Sequence, residues 1–359
     1  MQFLKDVFED YKELTKHNNG IINKSYFLKN HKSANSIFNV IPEELKKFLS
    51  NKKDDFEIKA SIGQTRVTDI PWICIMNKNI TKTPQSGYYI ALLFSYDMQE
   101  CYLSLNQGAT EAKNVCGGEK KSLPFLSMIS ESVSSYLTYD KNAICGEIDL
   151  KARDFPGTGY EKAAIQSFRY KKGALPSVQE FRANLDVLLL SYDNLFRLFS
   201  KSLYTSSEEL FDLFAQGLAS LGEDSNDEED SENKKAKDKI TGSLNLYPRD
   251  IKVASSAIKK AKFLCEYDYS HKHFKSKISN NNYVEAHHFI PLSLQGKFEY
   301  SLDIVENVIS LCPICHKILH HGTIDNKRPI IEKIFNERVN LLKNRGIEIT
   351  LAELMKFYS

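Results

Sequence analysis

The sequence predicts an α+β protein of two domains joined by a polar linker, and three observations support that fold class. Short β-rich runs and helical patterns alternate within residues 1–221. Residues 222–243 contain almost no large apolar side chain. Residues 244–359 combine helical patterns with a dense group of histidines and cysteines. A chain of 359 residues is long enough for two domains of ordinary size.

The first domain, residues 1–221, is expected to be a mixed α+β domain with a central sheet. It opens with a predicted amphipathic helix over 1–17, where apolar side chains recur at helical spacing. Three β-rich runs follow at 73–76, 88–94 and 101–105, and turn-forming stretches separate them. Leucine and phenylalanine then recur at helical spacing from 176 to 221, which predicts two helices that close the domain.

Segment 222–243 is predicted to be an acidic, disordered linker. It carries eight acidic residues against four lysines. A segment of this composition cannot bury enough apolar surface to offset the entropy lost on ordering. A solvated spacer between two domains is favoured over a functional acidic tail.

Charge and hydropathy restrict the classes of protein that the chain can belong to. Residues 244–359 hold 17 basic and 12 acidic residues, which is compatible with nucleic-acid binding without establishing it. The N-terminus is charged from the start, so no signal peptide is expected. No apolar run approaches the roughly 20 residues of a membrane span. We therefore expect a cytoplasmic protein with no membrane partner.

The second domain, residues 244–359, is expected to be small and mostly helical. Its predicted elements are a helix at about 248–263, strand-like segments around 283–290, a helix after Cys312, and two further helices at 328–344 and 350–358. The last helix opens with Thr350 and Glu353 at the spacing of a capping box.

Potential metal ligands concentrate in residues 265–321, which contain seven of the nine histidines and three of the seven cysteines. Hydrophobic packing gives no reason to gather such residues. Two roles for metal ions would explain why these residues are gathered. One ion would stabilise a small fold, and another would perform chemistry. An odd number of cysteines, with a CxxC pair beside histidines, indicates a reducing compartment and metal ligands instead of a disulfide framework.

Three cysteines predict a structural zinc site. Cys312 and Cys315 have the spacing of two thiolates in a tetrahedral zinc site, although a CxxC pair alone can also be redox-active. Cys265 lies upstream at a distance typical of split zinc sites, and no second cysteine follows it. The fourth ligand is then Asp268 or His271, and we favour His271 because imidazole is the commoner partner of thiolates. Three buried cysteines without metal are the alternative.

Four histidines predict a second site of different chemistry. His316 and His320 are four residues apart on a predicted helix, so they project from one face. His287 and His288 are neighbours on a predicted strand, where side chains alternate, so their rings diverge unless the strand bends. One strand histidine together with the helical pair would bind a metal ion, and the other would act as a general base. A single histidine would more simply be an ordinary surface or core residue, but four at these spacings disfavour that interpretation.

The stretch 265–321 resembles the HNH endonuclease motif, the ββα-metal fold, in its zinc-stapled McrA-like form. The resemblance rests on the sequence at 287–292, on Glu306-Asn307-Val308, and on 312–320. The missing second cysteine after Cys265 is the departure from that pattern, and it leaves the fourth zinc ligand open.

The resemblance implies a role for each matching residue. His288 would be the general base that activates water, and Asn307 would orient the loop or that histidine. His287, His316 and His320 would line the site of a catalytic divalent ion, and His320 would also count among the catalytic residues. The ion would be of the Mg²⁺ or Mn²⁺ class, and the thiolate site would take zinc.

The first domain offers fewer chemical signals. Trp72, the only tryptophan, and Tyr89 could stack on an extruded base, and Arg66 could contact phosphate. A single tryptophan on a strand is more often part of the core, and an arginine can be ordinary surface. Residues 59–108 nevertheless resemble the N-terminal domain of MrcB-like, McrB-related restriction proteins. The matching sequences are Pro71-Trp72-Ile73, Gly87-Tyr88-Tyr89 and residues 102–108. This resemblance implies a reader of modified DNA.

Together the two resemblances imply a modification-dependent, type IV-like restriction endonuclease that cuts double-stranded DNA carrying modified cytosine, in defence against foreign DNA. No Walker A pattern is present, so no nucleotide cofactor is expected. One HNH site cuts one strand, so a double-strand break would require a homodimer or two engagements. Two alternatives remain. One is a non-specific, toxin-like HNH nuclease whose first domain binds a protein. The other is a non-cutting, zinc-stabilised DNA-binding module, against which His288 and Asn307 argue.

Overall fold

The computed structural model describes residues 1–203, 208–221, 249–276 and 278–358. It divides the chain into two compact units, Met1–Ser206 and Ser207–Ser359. The acidic linker expected at 222–243 lies outside the described residues. Across the described ranges, the structure contains no helix that is both long enough and apolar enough to cross a membrane.

The first unit contains a six-stranded antiparallel sheet in the order β1-β2-β3-β4-β6-β5. Side chains of β3 are buried on both faces, which suits its aromatic and aliphatic sequence. The strands are β1 Phe56–Gly63, β2 Val67–Asn77, β3 Tyr88–Phe94, β4 Glu100–Gln107, β5 Ile144–Cys145 and β6 Ala164–Lys171.

Eight α-helices accompany this sheet in the described part of the first unit. The longest, α8, begins at a capping box in which the Glu180 backbone N–H donates to the Ser177 hydroxyl at 3.0 Å. It packs against β3, β4 and β6. The helices are α1 Gln2–Lys16, α2 Lys24–Asn30, α3 Lys32–Asn35, α4 Ile41–Leu49, α5 Ala109–Cys116, α6 Glu119–Val133, α7 Gly157–Lys162 and α8 Val178–Phe199.

The predicted mixed α+β character of the first domain is confirmed. The runs at 73–76, 88–94 and 101–105 lie in β2, β3 and β4, and the predicted helix at 1–17 is α1. Strands β1, β5 and β6 were not predicted. β1 mixes charged and small residues, and β6 carries Gln166 and Ser167, so neither shows an uninterrupted apolar run.

In the described part of the second unit, a two-stranded antiparallel sheet, β7 and β8, lies beside five helices. Along the chain, β7, β8 and α11 follow one another in the order strand, strand, helix. Helices α12 and α13 come after them. The elements are α9 Glu208–Ser220, α10 Ile251–Lys260, β7 Glu285–His288, β8 Val308–Leu311, α11 Pro313–His321, α12 Ile324–Asn344 and α13 Leu351–Tyr358.

The helices predicted for the second domain are confirmed with small shifts. α10 is shorter than the predicted 248–263, and α12 begins about one helical turn before its predicted start at 328. The capping box of α13 is present. The Glu353 backbone N–H donates to the Thr350 hydroxyl at 3.2 Å, and the Thr350 N–H donates to the Glu353 carboxylate at 2.8 Å.

Helix α9 corrects one expectation about the first domain. The two helices predicted within 176–221 exist as α8 and α9, but α9 belongs to the second unit. The physical reason is its bonding, because Asp212 and Gln216 on α9 hydrogen-bond to the backbone of residues 284–286. Helical spacing predicts that a helix forms, and it does not predict which core the helix joins.

Tyr192 joins α8 to the sheet of the first unit. Its hydroxyl donates to the Tyr88 carbonyl at 2.8 Å and accepts from the Asn77 backbone N–H at 3.1 Å. The side chain is 1 % exposed, and burial raises the pKa of its phenol. Removal of the hydroxyl would leave a buried backbone donor and acceptor without this partner.

We therefore expect Tyr192→Phe to lower the free energy of unfolding of the first unit by about 1–3 kcal/mol, the cost of unsatisfied buried polar groups. Urea unfolding followed by the fluorescence of Trp72, the single tryptophan, reports on this unit alone. Tyr139→Phe is the matched control because Tyr139 is 88 % exposed. Identical unfolding curves for Tyr192→Phe and wild type would contradict the bridging role of Tyr192.

Candidate functional site

A group of three cysteines and one histidine forms where the N-terminus of α11 meets the loop after α10. Cys312 is the N-cap of α11, and its sulfur accepts from the Cys315 N–H at 3.4 Å. His271 Nδ1 lies 3.6 Å from Cys312 Sγ and 3.4 Å from Cys315 Sγ. With Cys265, the four ligand atoms lie within 4.8 Å of one another. The group could hold a metal ion, and it contains the four side chains favoured from the sequence.

Asp268, the alternative ligand, has a different place. One carboxylate oxygen accepts from the Ser270 N–H at 2.8 Å, which closes the turn that leads to His271. The other oxygen lies 3.5 Å from His271 Nε2, on the ring nitrogen that does not face the thiols. Asp268 therefore orients the imidazole, as carboxylates commonly do behind metal-binding histidines.

The three thiols of this group affect one another's protonation. Hydrogen bonds from Cys312 and Cys315 lower the pKa of the Cys265 thiol. The hydrogen bonds with Cys265 and Cys312 raise the pKa of Cys315. Without a cation, only part of such a group can ionise, whereas a bound metal ion stabilises all three thiolates together.

A second group consists of His287 on β7 and of His316 and His320 on α11. Their ligand atoms lie within 4.8 Å of one another, and the Nε2 atoms of His316 and His320 are 3.0 Å apart. His287 is 6 % and His316 1 % exposed, while His320 is exposed. The group is thus buried on one side and open to solvent on the other. That arrangement suits an ion that must accept a substrate ligand.

Partners of these histidines fix their tautomers. His316 Nδ1 lies 2.6 Å from a Glu285 carboxylate oxygen, so Nδ1 carries the proton and Nε2 presents its lone pair to the group. The Tyr358 hydroxyl donates to the Phe289 carbonyl at 2.7 Å. It therefore accepts from His287 Nε2, 3.0 Å away, and leaves the lone pair on His287 Nδ1.

His287 is held in its neutral form by its surroundings. Burial is the largest cause, and the neighbouring His316, His320 and His288 add to it, so the pKa of His287 lies well below the usual value for histidine. A neutral imidazole keeps the lone pair that a metal ion requires.

His288 has a separate partner, as expected for neighbours on a strand. Its Nε2 lies 2.9 Å from Asp303 Oδ1, and the other Asp303 oxygen accepts from the Asp250 backbone N–H at 2.7 Å. Asp303 is buried and held from two sides. It stabilises the tautomer in which His288 Nε2 is protonated and Nδ1 can accept a proton, which is the arrangement of a general base oriented by a carboxylate.

Asn307 fixes the chain between β7 and β8. Its side-chain oxygen accepts from the Ile290 N–H at 2.8 Å. Its amide donates to the carbonyls of Ile290 at 2.9 Å and of Leu302 at 2.8 Å. Of the two orienting roles expected for Asn307, these bonds support the one on the loop.

Four residues of this region were absent from the sequence prediction: Glu285, Asp303, Tyr358 and Asp212. Glu285 lies two residues before His287, so strand alternation could have placed both on one face. Asp303 and Tyr358 approach the histidines only in the folded chain, and no local sequence spacing predicts these contacts. Asp212 was assigned to the other domain.

The three residues of the first unit that were predicted to contact DNA do not form one group. Trp72 on β2 and Tyr89 on β3 belong to the same cluster on one face of the sheet, where Tyr160 also packs. Tyr89 is 2 % exposed, while Trp72 is partly buried. Arg66 is exposed in the turn between β1 and β2.

Comparison with known proteins assigns the class of the first unit. Residues 18–197 match the family model described as MrcB-like, N-terminal domain. The match covers half of the chain, and the chain belongs to this family.

A curated relative adds a second similarity. A stretch of 90 residues is 33 % identical to the type IV methyl-directed restriction enzyme EcoKMcrA of Escherichia coli (strain K12). The stretch covers 25 % of this chain and 30 % of that enzyme. The similarity to MrcB-like and McrA restriction proteins therefore relates this chain to type IV restriction.

The cysteine–histidine group predicts a metal content that depends on particular side chains. We expect His271→Ala and Cys312→Ser to lose the tightly bound ion. The binding free energy of a structural zinc ion is about 10–16 kcal/mol when all of its ligands are present, and each variant removes one ligand. Asp268→Asn should retain the ion, since the amide can still hold the turn. Metal analysis of the dialysed full-length protein measures the difference.

The matched control for this measurement is Cys145→Ser, because Cys145 is an exposed cysteine of the first unit. Loss of the ion from Asp268→Asn, with retention in His271→Ala, would reverse the assignment of the fourth ligand.

Proposed function

We propose that this protein is a modification-dependent restriction endonuclease that hydrolyses double-stranded DNA carrying modified cytosine, in defence of a cell against foreign DNA. The observation that carries the proposal is the placement of His287 and His288 on opposite faces of one strand. His287 joins a group able to bind a metal ion, and His288 is paired with the buried carboxylate of Asp303. Membership of the MrcB-like family and the similarity to EcoKMcrA support the same function.

We assign the second unit to the HNH class. Its elements β7, β8 and α11 follow the order strand, strand, helix, and the helix carries two of the histidines. Asn307 lies directly before β8 and holds the connecting loop. These features support a ββα-metal fold with His287, His316 and His320 as ligands. We propose that the reader domain precedes the acidic segment 222–243 and that the nuclease follows it. Helix α9 is the exception, because it precedes this segment but belongs to the second unit.

The proposed reaction is attack of water on a phosphodiester. His288 Nδ1 accepts a proton from the water, while Asp303 holds the proton on Nε2. The water oxygen bonds to phosphorus, the bond from phosphorus to the 3′-oxygen breaks, and the leaving oxygen departs with the electron pair. A Mg²⁺ or Mn²⁺ ion at the three histidines would stabilise the negative charge that develops on the phosphate and on the leaving oxygen.

The cysteine–histidine group has a structural role in this proposal. Three thiolates and one imidazole are the donor set that zinc prefers, and a closed set of four protein ligands leaves no position for substrate. Zinc there would hold the N-terminus of α11 against the loop after α10. No step of the reaction requires a nucleotide.

The first unit would read the DNA. Trp72 and Tyr89 lie on one sheet face, and a base that approaches Tyr89 must first displace the residues that cover it. Arg66, exposed at the β1–β2 turn, is the candidate for phosphate contact. The proposal places the protein in the cytoplasm, and a double-strand break would require a homodimer or two successive engagements.

The test is cleavage of three matched plasmids, unmodified, cytosine-methylated and hydroxymethylated, with Mg²⁺ or Mn²⁺. We expect cleavage of modified plasmids only. His288→Ala should lower the rate by about 10²–10⁴-fold, the usual contribution of a general base. His321→Ala is the control, because His321 is an exposed histidine of α11 that lies outside the group of His287, His316 and His320.

Two other outcomes would change the proposal. Equal cleavage of all three plasmids would keep the nuclease and remove the modification reader, as for a toxin-like nuclease whose first unit binds a protein. Binding of DNA without cleavage, unchanged in His288→Ala, would leave a zinc-stabilised DNA-binding module.

A further inference from the structure

Strand β7 has two hydrogen-bonding edges, and only one faces β8. The Phe289 N–H donates to the Asn307 carbonyl at 2.8 Å and continues the ladder in which His287 is opposite Ile309. In an antiparallel pair, alternate residues direct their backbone groups to the same edge. The backbone groups of Val284 and Ala286 therefore point to the other edge, away from β8.

Helix α9 closes that other edge with two side chains. The Asp212 carboxylate accepts from the Ala286 N–H at 2.9 Å, and the Gln216 amide donates to the Val284 carbonyl. Asp212 and Gln216 are four residues apart, so they lie on one face of the helix. They are 2 % and 0 % exposed. An acceptor and a donor on a helix thus replace the backbone groups of a neighbouring strand.

The same helix reaches the histidine group. An oxygen of Asp212, an oxygen of Glu285 and a nitrogen of His316 lie within 4.8 Å of one another. The ring of Phe211, also on α9, lies 4.3 Å under the guanidinium of Arg249, so α9 is held by a residue from the start of the C-terminal segment. Asp212 therefore contacts both the backbone of β7 and the side chains behind the candidate metal ligands.

We propose that Asp212 and Gln216 are positioning residues for the candidate metal site, an inference that rests on the proposed nuclease function. They hold β7 at the register that brings His287 to α11 and His288 to Asp303. Without them, the buried Ala286 N–H would lose its partner and the strand could shift. A displacement of about 1 Å is enough to reduce catalysis by about 10²-fold. The nuclease therefore includes a helix that precedes residues 222–248.

The test uses the full-length protein and two readouts, the affinity for Mn²⁺ and the steady-state kinetics of DNA cleavage. Mn²⁺ is the probe because it prefers nitrogen and oxygen ligands over thiolates. Asp212→Leu and Gln216→Met remove the two contacts with little change in side-chain size. We expect each to weaken Mn²⁺ binding by about 10–100-fold, as for lost partners of metal ligands, and to lower kcat with little change in KM.

Two variants serve as controls. Asp212→Asn keeps an oxygen that can accept from Ala286 and should bind Mn²⁺ nearly as wild type does. Ser220→Ala removes a hydroxyl of α9 that donates only to the Gly217 carbonyl of the same helix, at 2.7 Å, and should change neither readout.

The outcomes separate this inference from the proposed function. If the wild type binds Mn²⁺ but cuts no DNA, the nuclease fails, and the Mn²⁺ affinities still decide the positioning role. Folded Asp212→Leu and Gln216→Met proteins with unchanged Mn²⁺ affinity would overturn the inference, and so would equal losses in Asp212→Asn and Asp212→Leu. If circular dichroism shows that Asp212→Leu is unfolded, Gln216→Met decides alone.

Discussion

The candidate site depends on the alternation of side chains along β7, a strand of only four residues. Its first and third side chains, Glu285 and His287, face α11, where Glu285 accepts from His316. Its fourth, His288, faces Asp303. A shift of one residue in register would exchange these faces, so the candidate metal-binding group and the proposed base would both be lost. Two strands alone are marginally stable, which explains why β7 is held on both edges, by β8 and by α9.

Helix α11 links the two groups of potential metal ligands. Within nine residues it carries Cys312 as its N-cap, Cys315 in its first turn, and His316 and His320 farther along. An ion at the thiols would fix the start of the helix, and the histidines are carried on the same rigid element. The thiolate-rich group and the imidazole group thus share a scaffold, and their different donor atoms would favour different ions. The structural ion would contribute to catalysis only through the position of the helix.

Much of the site could be predicted from sequence because its signals are local. The spacing of Cys312 and Cys315, and of His316 and His320, follows from the geometry of one helix, and the capping box of α13 is equally local. Asp303, Tyr358 and Asp212 could not be predicted, since each reaches the histidines across a long stretch of chain. The assignment of α9 to the first domain was wrong for a related reason. The apolar periodicity of a helix is the same whichever core the helix joins.

We propose that two metal ions of different chemistry occupy neighbouring parts of the second unit. Anomalous diffraction at the zinc and manganese absorption edges, from crystals grown with Zn²⁺ and soaked in Mn²⁺, locates both ions in one experiment. We expect a zinc signal surrounded by Cys265, His271, Cys312 and Cys315, and a manganese signal surrounded by His287, His316 and His320. Zinc among the three histidines with none at the thiols, or manganese away from the histidines, would show that this assignment of the two ions is wrong.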